Sequence, residues 1–179
     1  LATMPDASVN TCVTPPPYFG LRDYGVDGQM GLEPTPDEFV AGMVAVFREV
    51  RRVLRDDGTL WLNIGDSYSA SSTGNLGNKI TLGGGQSNQA AGFGRPDKTN
   101  LPGVKTKDLI GIPWMLAFAL RADGWYLRQD IIWSKPNPMP ESVRDRCTKA
   151  HEYLFLLSKS DRYWYDQDAI REDTDFEYL

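Results

Sequence analysis

The sequence predicts an α/β fold with a partly parallel sheet. Three observations lead to this prediction. Apolar runs typical of strands alternate with amphipathic helical patterns, the elements follow in the order strand, helix, strand, helix, strand, strand, and turn or capping residues separate several of them. The 179 residues suffice for one domain with a substantial core, and 41% hydrophobic residues are ordinary for a globular protein.

The first three elements are a strand at residues 8–13, a helix and a second strand. Residues 35–38, Thr-Pro-Asp-Glu, form a capping box with proline at the first helical position, and the helix is predicted to run to about Leu54. Apolar residues three and four positions apart give it one buried stripe: Phe39, Met43, Phe47, Val50 and Leu54. Charged residues on the other side predict a solvated face: Arg48, Glu49, Arg51 and Arg52. The turn Asp57-Gly58 leads into the second strand at 59–65.

Residues 66–107 differ in composition from the rest of the chain. They are rich in Gly, Ser and Asn and show almost no apolar periodicity, which predicts a flexible loop. The run Gly83-Gly84-Gly85 has neither a preceding strand nor Gly-x-Gly-x-x-Gly spacing, so it predicts no phosphate-binding turn.

The remaining segments are a helix, two strands and an aromatic tripeptide. The helix is predicted to start near Ile112-Pro113 and to stop at Gly124, with inward-facing residues Trp114, Leu116, Ala117 and Leu120. Strands at 126–133 and 153–158 lie on either side of a proline-punctuated loop at 135–150. After the turn Asp161-Arg162, Tyr163-Trp164-Tyr165 predicts an edge strand or an aromatic lid.

Composition and charge exclude several classes of protein. No apolar stretch reaches the roughly 20 residues that a membrane-spanning helix needs, and no signal peptide is visible. Two cysteines, Cys12 and Cys147, indicate reduced thiols and a cytoplasmic location. One histidine and no Cys-x-x-Cys pair predict no zinc site. The net charge is −5, although basic residues are concentrated in the predicted loops.

The most informative motif is Thr14-Pro15-Pro16-Pro17-Tyr18, directly after the first strand. Each proline fixes its own φ angle and restricts the preceding residue, and no proline carries an N–H group. Residues 15–18 therefore form a stiff proline ledge whose carbonyl oxygens can accept hydrogen bonds from a ligand. Tyr18 adds a flat ring on which a planar ligand can stack. An ordinary turn or a polyproline ligand is the alternative interpretation.

The proline ledge and the segments around it resemble the DNA amino-methyltransferases, which methylate cytosine N4 or adenine N6. The resemblance rests on Pro-Pro-Tyr followed by FGLRDYG (19–25), and on GTLWLNIGDSY (58–68), DLIGIPW (108–114), WSKPNPMP (133–140) and HEYLFL (151–156). It covers nearly the whole chain in the family's order. It implies a partial Rossmann-like methyltransferase fold, mostly parallel with a terminal antiparallel strand pair, and S-adenosylmethionine as the cofactor.

The resemblance also implies a site-specific enzyme that acts on double-stranded DNA with a flipped target base. In the family, the first motif position and the next proline carbonyl accept the two hydrogens of the target amine, and the aromatic residue stacks on the base. These roles fall on Pro15, Pro16 and Tyr18, with Pro17 between them. Pro15 has no side-chain acceptor, which predicts a rate lower by about 10²–10³. Asp66 is the candidate substitute, and capping of the loop that begins there is its alternative role.

Polar residues of the loop at 135–150 are the candidates for nucleic-acid contact: Lys135, Asn137, Arg144, Arg146 and Lys149. The resemblance places Lys135 and Asn137 near the base pocket, and ordinary turn formation is their alternative role. The pair His151-Glu152 matches a recurrent family pair and is interpreted first as scaffold. A DNA-clasping role for residues 66–107 is a further hypothesis.

The family's target-recognition region and its Phe-x-Gly-x-Gly cofactor turn do not occur in this sequence. We therefore expect a fragment or one half of a split enzyme, with a complementing C-terminal half or a homodimer as partner and weak cofactor binding by this chain alone. Two alternatives stay open: a degenerate methyltransferase subunit that binds DNA or a partner, and a methyltransferase of RNA or protein amides. The sequence does not decide between cytosine and adenine.

Overall fold

The computed structural model of this chain describes residues 1–69 and 101–172. Its elements are β1 (Val9–Thr14), α1 (Pro36–Val53), β2 (Leu54–Ile64), α2 (Ile112–Ala122), β3 (Tyr126–Ser134), β4 (His151–Ser158) and a short 3-10 helix (Asp168–Ile170). The four strands and two long helices predicted at these places are therefore confirmed. Most of the loop predicted at 66–107, including Gly83-Gly84-Gly85, lies outside the described residues.

The four strands form one sheet in the order β1-β2-β4-β3. β1 and β2 are parallel, whereas β4 is antiparallel to both of its neighbours, β2 and β3. β1, β2 and β3 therefore run in the same direction, which confirms the predicted mixture of parallel strands and an antiparallel pair. We call the end of the sheet where these three strands stop, and β4 starts, its carboxyl end. The opposite end is its amino end.

The core lies between α1, α2 and one face of the sheet. The N-cap hydroxyl of Thr35 accepts a hydrogen bond from the Glu38 amide at 3.2 Å, and Pro36 occupies the first turn, as the capping box predicts. The predicted stripe of α1 is buried together with inward-facing residues of β2 and β4: Leu60, Leu62, Ile64, Phe155 and Leu157. Trp114 of α2 is only half-buried, and its ring contacts those of Tyr153 and Phe155 with centroids 5.6 and 5.2 Å apart.

The solvated face predicted on α1 is confirmed for Arg48 and Glu49, which are exposed, whereas Arg51 and Arg52 are half-buried and ion pairs connect this face to other segments. Arg48 forms a bidentate ion pair with Asp123, which follows α2, and Arg52 pairs with Asp6, which precedes β1. Arg51 is half-buried, and its Nη2 donates to the carbonyl oxygen of Lys159 at 3.5 Å. These partners come from other elements, so helical periodicity alone cannot reveal them.

β2 starts five residues earlier than predicted, and the predicted turn lies inside it as a bulge. Val9 of β1 pairs with Leu54, whereas Thr11 pairs with Thr59. The extra residues of β2 thus project from the ladder. A Cβ atom on Gly58 would lie 2.9 Å from the Arg55 carbonyl oxygen, so the bulge requires glycine at this position.

The prediction of an edge strand at residues 163–165 is wrong, because this segment pairs with no strand in the described ranges. Single contacts hold it instead. The Trp164 amide donates to the Asp57 carbonyl oxygen at 3.1 Å, and the Arg128 guanidinium lies 5.5 Å from the centroid of the Tyr163 ring.

The described residues contain neither a helix suited to cross a membrane nor a cluster of metal-binding side chains. Neither α1 nor α2, nor any other helix in these ranges, has the length and hydrophobicity that crossing a bilayer requires. Within the same ranges, no group of His, Cys, Asp and Glu side chains has the geometry of a metal site.

Candidate active site

The carboxyl end of the sheet brings together most of the predicted site residues. The proline ledge follows β1, Asp66 follows β2, Lys135 follows β3 and Glu152 lies at the start of β4. Ligands of open α/β sheets bind at the carboxyl ends of the parallel strands. The topology therefore makes this end of the sheet the candidate site.

The proline ledge lines a cavity of about 330 Å³. Residues 15–18 form one part of its wall, and the loop that follows them supplies the rest: Leu21, Arg22, Tyr24, Gln29 and Met30. No described residue donates a hydrogen bond to the carbonyl oxygen of Pro16. The ledge thus combines a free main-chain acceptor with an aromatic side chain beside a cavity whose size is typical of ligand sites.

Three contacts fix the ring of Tyr18. Its hydroxyl lies 3.1 Å from Oδ1 of Asn63 and 3.1 Å from Oε2 of Glu152. The Asn63 amide is itself oriented, because its Nδ2 donates to the Tyr153 carbonyl oxygen at 3.1 Å. A Cβ atom on Gly65 would lie 2.7 Å from Cε2 of Tyr18, so the ring packs directly against the backbone there. Burial, followed by the charge and hydrogen bond of Glu152, raises the pKa of Tyr18 well above its ordinary value.

Glu152 connects Tyr18 to Lys135. Its Oε1 accepts from the Lys135 ammonium group, while its Oε2 faces the Tyr18 hydroxyl. Burial alone would raise the pKa of Glu152, but the hydrogen bonds of Lys135 and Tyr18 outweigh it and hold that pKa below its usual range. Lys135 is therefore paired with Glu152 at the edge of the site, with 40% of its side chain exposed, and its contact with a base or phosphate stays a prediction. The sequence interpretation missed this central role of Glu152, for which the His151-Glu152 pair was the only signal.

Asp66 fulfils the capping role that was its alternative assignment. Its Oδ1 accepts from the amides of Ser67, Gly111 and Ile112 at 2.8, 3.0 and 3.1 Å. These bonds fix the start of α2 and place a negative charge at its positive end. A role for Asp66 as substitute acceptor stays a proposal, and it would compete with these three bonds.

The other predicted nucleic-acid contacts fall into three groups. Arg146 is bound within the fold, since its guanidinium lies 3.9 Å from the Tyr68 ring centroid and pairs with Glu141 at 2.5 Å. Arg144 and Asn137 are exposed, and their side chains form no hydrogen bond or ion pair with any described residue. Lys149 is half-buried without an ion-pair partner in the described ranges, and burial lowers its pKa.

Comparison with known proteins identifies close relatives. A family model described as DNA methylase matches residues 9–177. The chain is 54% identical over 176 residues to the Type II methyltransferase M.Cfr9I of Citrobacter freundii, covering 98% of this chain and 56% of that protein. It is 53% identical over 169 residues to the Type II methyltransferase M.SmaI of Serratia marcescens, covering 93% and 55%. The chain spans about half the length of these curated relatives.

Solved structures share the fold at lower identity. The PvuII DNA methyltransferase (cytosine-N4-specific) aligns with a TM-score of 0.58 and 16% identity, covering 92% of this chain and 47% of that one. TTHA0409 of Thermus thermophilus, complexed with S-adenosyl-L-methionine, aligns with a TM-score of 0.57 and 22% identity, covering 94% and 52%. At these identities the likeness establishes the fold alone.

Proposed function

Because this chain belongs to the DNA methylase family, we propose that it forms the base-binding part of a site-specific DNA methyltransferase. The proposed reaction moves a methyl group from S-adenosylmethionine to the exocyclic amine of a cytosine or an adenine. The carbonyl oxygen of Pro16, which accepts no hydrogen bond from a described residue and lies on the ledge that carries Tyr18 and lines a cavity, is the observation that supports this proposal most directly.

The proposed role of the ledge follows from the chemistry of the amine. The lone pair of an exocyclic base amine is delocalised into the ring, so the nitrogen is a poor nucleophile. A hydrogen bond from the amine to the carbonyl oxygen of Pro16 would orient the nitrogen and draw the lone pair away from the ring. Stacking on Tyr18, worth roughly 1–3 kcal/mol per base, would hold the base after it leaves the duplex.

The cavity fits a base better than it fits the cofactor. When bound, S-adenosylmethionine supplies an activated methyl group. Its ribose hydroxyls and ammonium group need acceptors, but no carboxylate is found among the described residues that line the cavity. We therefore assign the cavity to the target base, and we assign no described residue to the cofactor.

Pro15 favours a second candidate, a non-catalytic methyltransferase-like module that binds DNA or a partner. Its pyrrolidine ring supplies no acceptor for the second amine hydrogen. The carboxylate of Asp66, the candidate substitute, already accepts hydrogen bonds from three backbone amides. A site with one acceptor would be slower by about 10²–10³ than a site with two.

One experiment separates the two candidates. The chain and its Pro15→Ser variant, each within a protein that also carries the family's cofactor turn and target-recognition region, are incubated with unmethylated genomic DNA and radiolabelled S-adenosylmethionine, and the DNA is digested to nucleosides. Labelled N4-methylcytosine or N6-methyladenine from the Pro15 form supports an enzyme and identifies the base. Label that appears only with Pro15→Ser supports a degenerate site. DNA binding by both forms without any label would overturn the enzymatic proposal.

A further inference from the structure

The loop that follows the proline ledge is closed at its base. The Gly20 amide donates to the Gly31 carbonyl oxygen at 2.7 Å, so the two ends of residues 20–31 meet. Gly31 has a φ of 96°, and a Cβ atom there would lie 2.9 Å from the Tyr18 carbonyl oxygen. Only glycine therefore allows this closure. Compact closed loops of this length frequently carry binding residues.

Hydrogen bonds across the loop hold its tip in one conformation. The side chain of Gln29 accepts from the Tyr24 amide at 2.7 Å and donates to the Arg22 carbonyl oxygen at 2.7 Å. The Asp23 carboxylate accepts from the Gly25 amide, also at 2.7 Å. Arg22 thus extends from a backbone that is fixed before any ligand binds, which lowers the entropic cost of binding through its side chain.

Arg22 is the one charged residue among the described residues that line the ledge cavity. Its guanidinium forms no ion pair or hydrogen bond with any residue in the described ranges. Most other arginines there are bound, for example Arg48 to Asp123 and Arg146 to Glu141. A guanidinium offers five N–H donors in a planar fork that matches the oxygens of a phosphate group.

We propose that Arg22 binds a backbone phosphate of the DNA strand that carries the target base. This inference rests on the proposed function, because a base held in the ledge cavity brings its own flanking phosphates within one sugar of it. The loop at 20–31 then acts with the ledge: the ledge holds the base, and Arg22 holds the backbone that leads to it. The carboxylate of S-adenosylmethionine is another oxyanion that a guanidinium could bind, so the test separates these two sources.

The test measures DNA affinity without methyl transfer. The probe is a short fluorescent duplex with one unpaired cytosine at its centre, and binding is followed by anisotropy over a series of salt concentrations. Arg22→Gln should weaken binding about tenfold. It should also reduce the slope of log K against log salt by about 0.7–0.9, the value for one phosphate contact. Arg22→Lys keeps the charge and should restore most of the slope.

Two controls accompany this measurement. Arg162→Gln removes one exposed positive charge at the amino end of the sheet and should leave the slope unchanged. Calorimetric titration of S-adenosylmethionine, in the protein that also carries the family's cofactor turn, should give the same heats with Arg22→Gln as without it.

Other outcomes would contradict the phosphate contact, the choice of ligand for Arg22 or the proposed function. If Arg22→Gln and the unmodified chain have equal affinity and equal salt slope, the phosphate contact is overturned and the proposed function is not. The same holds if Arg162→Gln loses as much affinity and slope as Arg22→Gln. A variant that loses cofactor binding but keeps DNA binding assigns Arg22 to the cofactor carboxylate instead. If the unmodified chain does not bind the duplex, the proposed function fails together with the inference.

Discussion

At the amino end of the sheet, three ion pairs connect neighbouring segments, whereas at the carboxyl end a cavity is lined by residues with polar groups that have no partner among the described residues. Arg48 pairs with Asp123, Arg52 with Asp6 and Lys159 with Asp56. At the carboxyl end, by contrast, the Pro16 carbonyl oxygen and the Arg22 guanidinium have no partner among the described residues. The first two pairs join α1 to the segments around it and the third joins β2 to the segment after β4, while the groups beside the cavity are available to a ligand.

The two ends also differ in how their aromatic residues are held. Tyr18 at the carboxyl end is fixed by Asn63, Glu152 and the backbone of Gly65. For Tyr163 at the amino end, the interactions with described residues are a weak hydrogen bond of 3.5 Å and a ring contact, both with the long side chain of Arg128. A fixed ring beside a cavity is suited to stacking, whereas a loosely held ring is a surface feature. The predictions below test this difference, starting with the largest expected effect.

Tyr18→Ala should lower methyl transfer by about 100-fold, because it removes the stacking surface of the proposed base site. The measurement is the initial rate of label incorporation into DNA. Tyr163→Ala is the matched control at the amino end and should keep the unmodified rate. Equal losses in the two variants would mean that both rings serve stability, and the comparison between the ends would fail.

Asp66→Ala should lower the free energy of unfolding by about 2 kcal/mol, since it leaves the amides at the start of α2 without their acceptor. Urea denaturation measures this loss. Asp66→Asn keeps one acceptor oxygen and should retain most of the stability and the full rate of methyl transfer. A large loss of rate in a stable Asp66→Asn variant would instead assign Asp66 to the target amine.

Glu152→Gln should remove a pH-dependent contribution to stability of less than about 1 kcal/mol, since ion pairs that are partly open to solvent contribute little. The folded-state pKa of Glu152 lies below its usual range. Its contribution is therefore present above the unfolded-state pKa of about 4.3 and is lost as the pH falls through the lower folded-state pKa.

Urea denaturation at neutral pH and at about pH 3 measures this difference. The stability advantage of the unmodified chain should be larger at neutral pH than at the acid pH. A difference of equal size at both pH values would mean that the Glu152 carboxylate charge plays no part, and that its hydrogen bond to Tyr18 is the whole effect.

The elements that the sequence predicted correctly depend on neighbouring residues. The capping box of α1 involves Thr35, Pro36 and Glu38, and its buried stripe repeats every three or four positions. Both signals can be read within one segment. The proline ledge is a local signal as well, because proline geometry is fixed whatever the fold around it.

The features that the sequence did not predict depend on residues far apart in the chain. Tyr18 and Glu152 meet across 134 positions, and Arg48 and Asp123 across 75. No periodicity connects such residues, and only the sheet order β1-β2-β4-β3 brings the first pair together. The edge strand expected at residues 163–165 failed for the related reason that strand formation requires a partner, which aromatic content does not supply.

The smallest effect is expected for Arg48→Gln, at the amino end. The Arg48 guanidinium is mostly exposed, and exposed ion pairs are weak and screened by salt. Thermal denaturation should show a small loss of stability at low salt and no measurable loss at high salt. DNA affinity and its salt slope should equal those of the unmodified chain, because Arg48 is already occupied by Asp123. A reduced salt slope would place a phosphate contact at the amino end, and an ion pair within the fold would then no longer exclude an arginine from DNA binding.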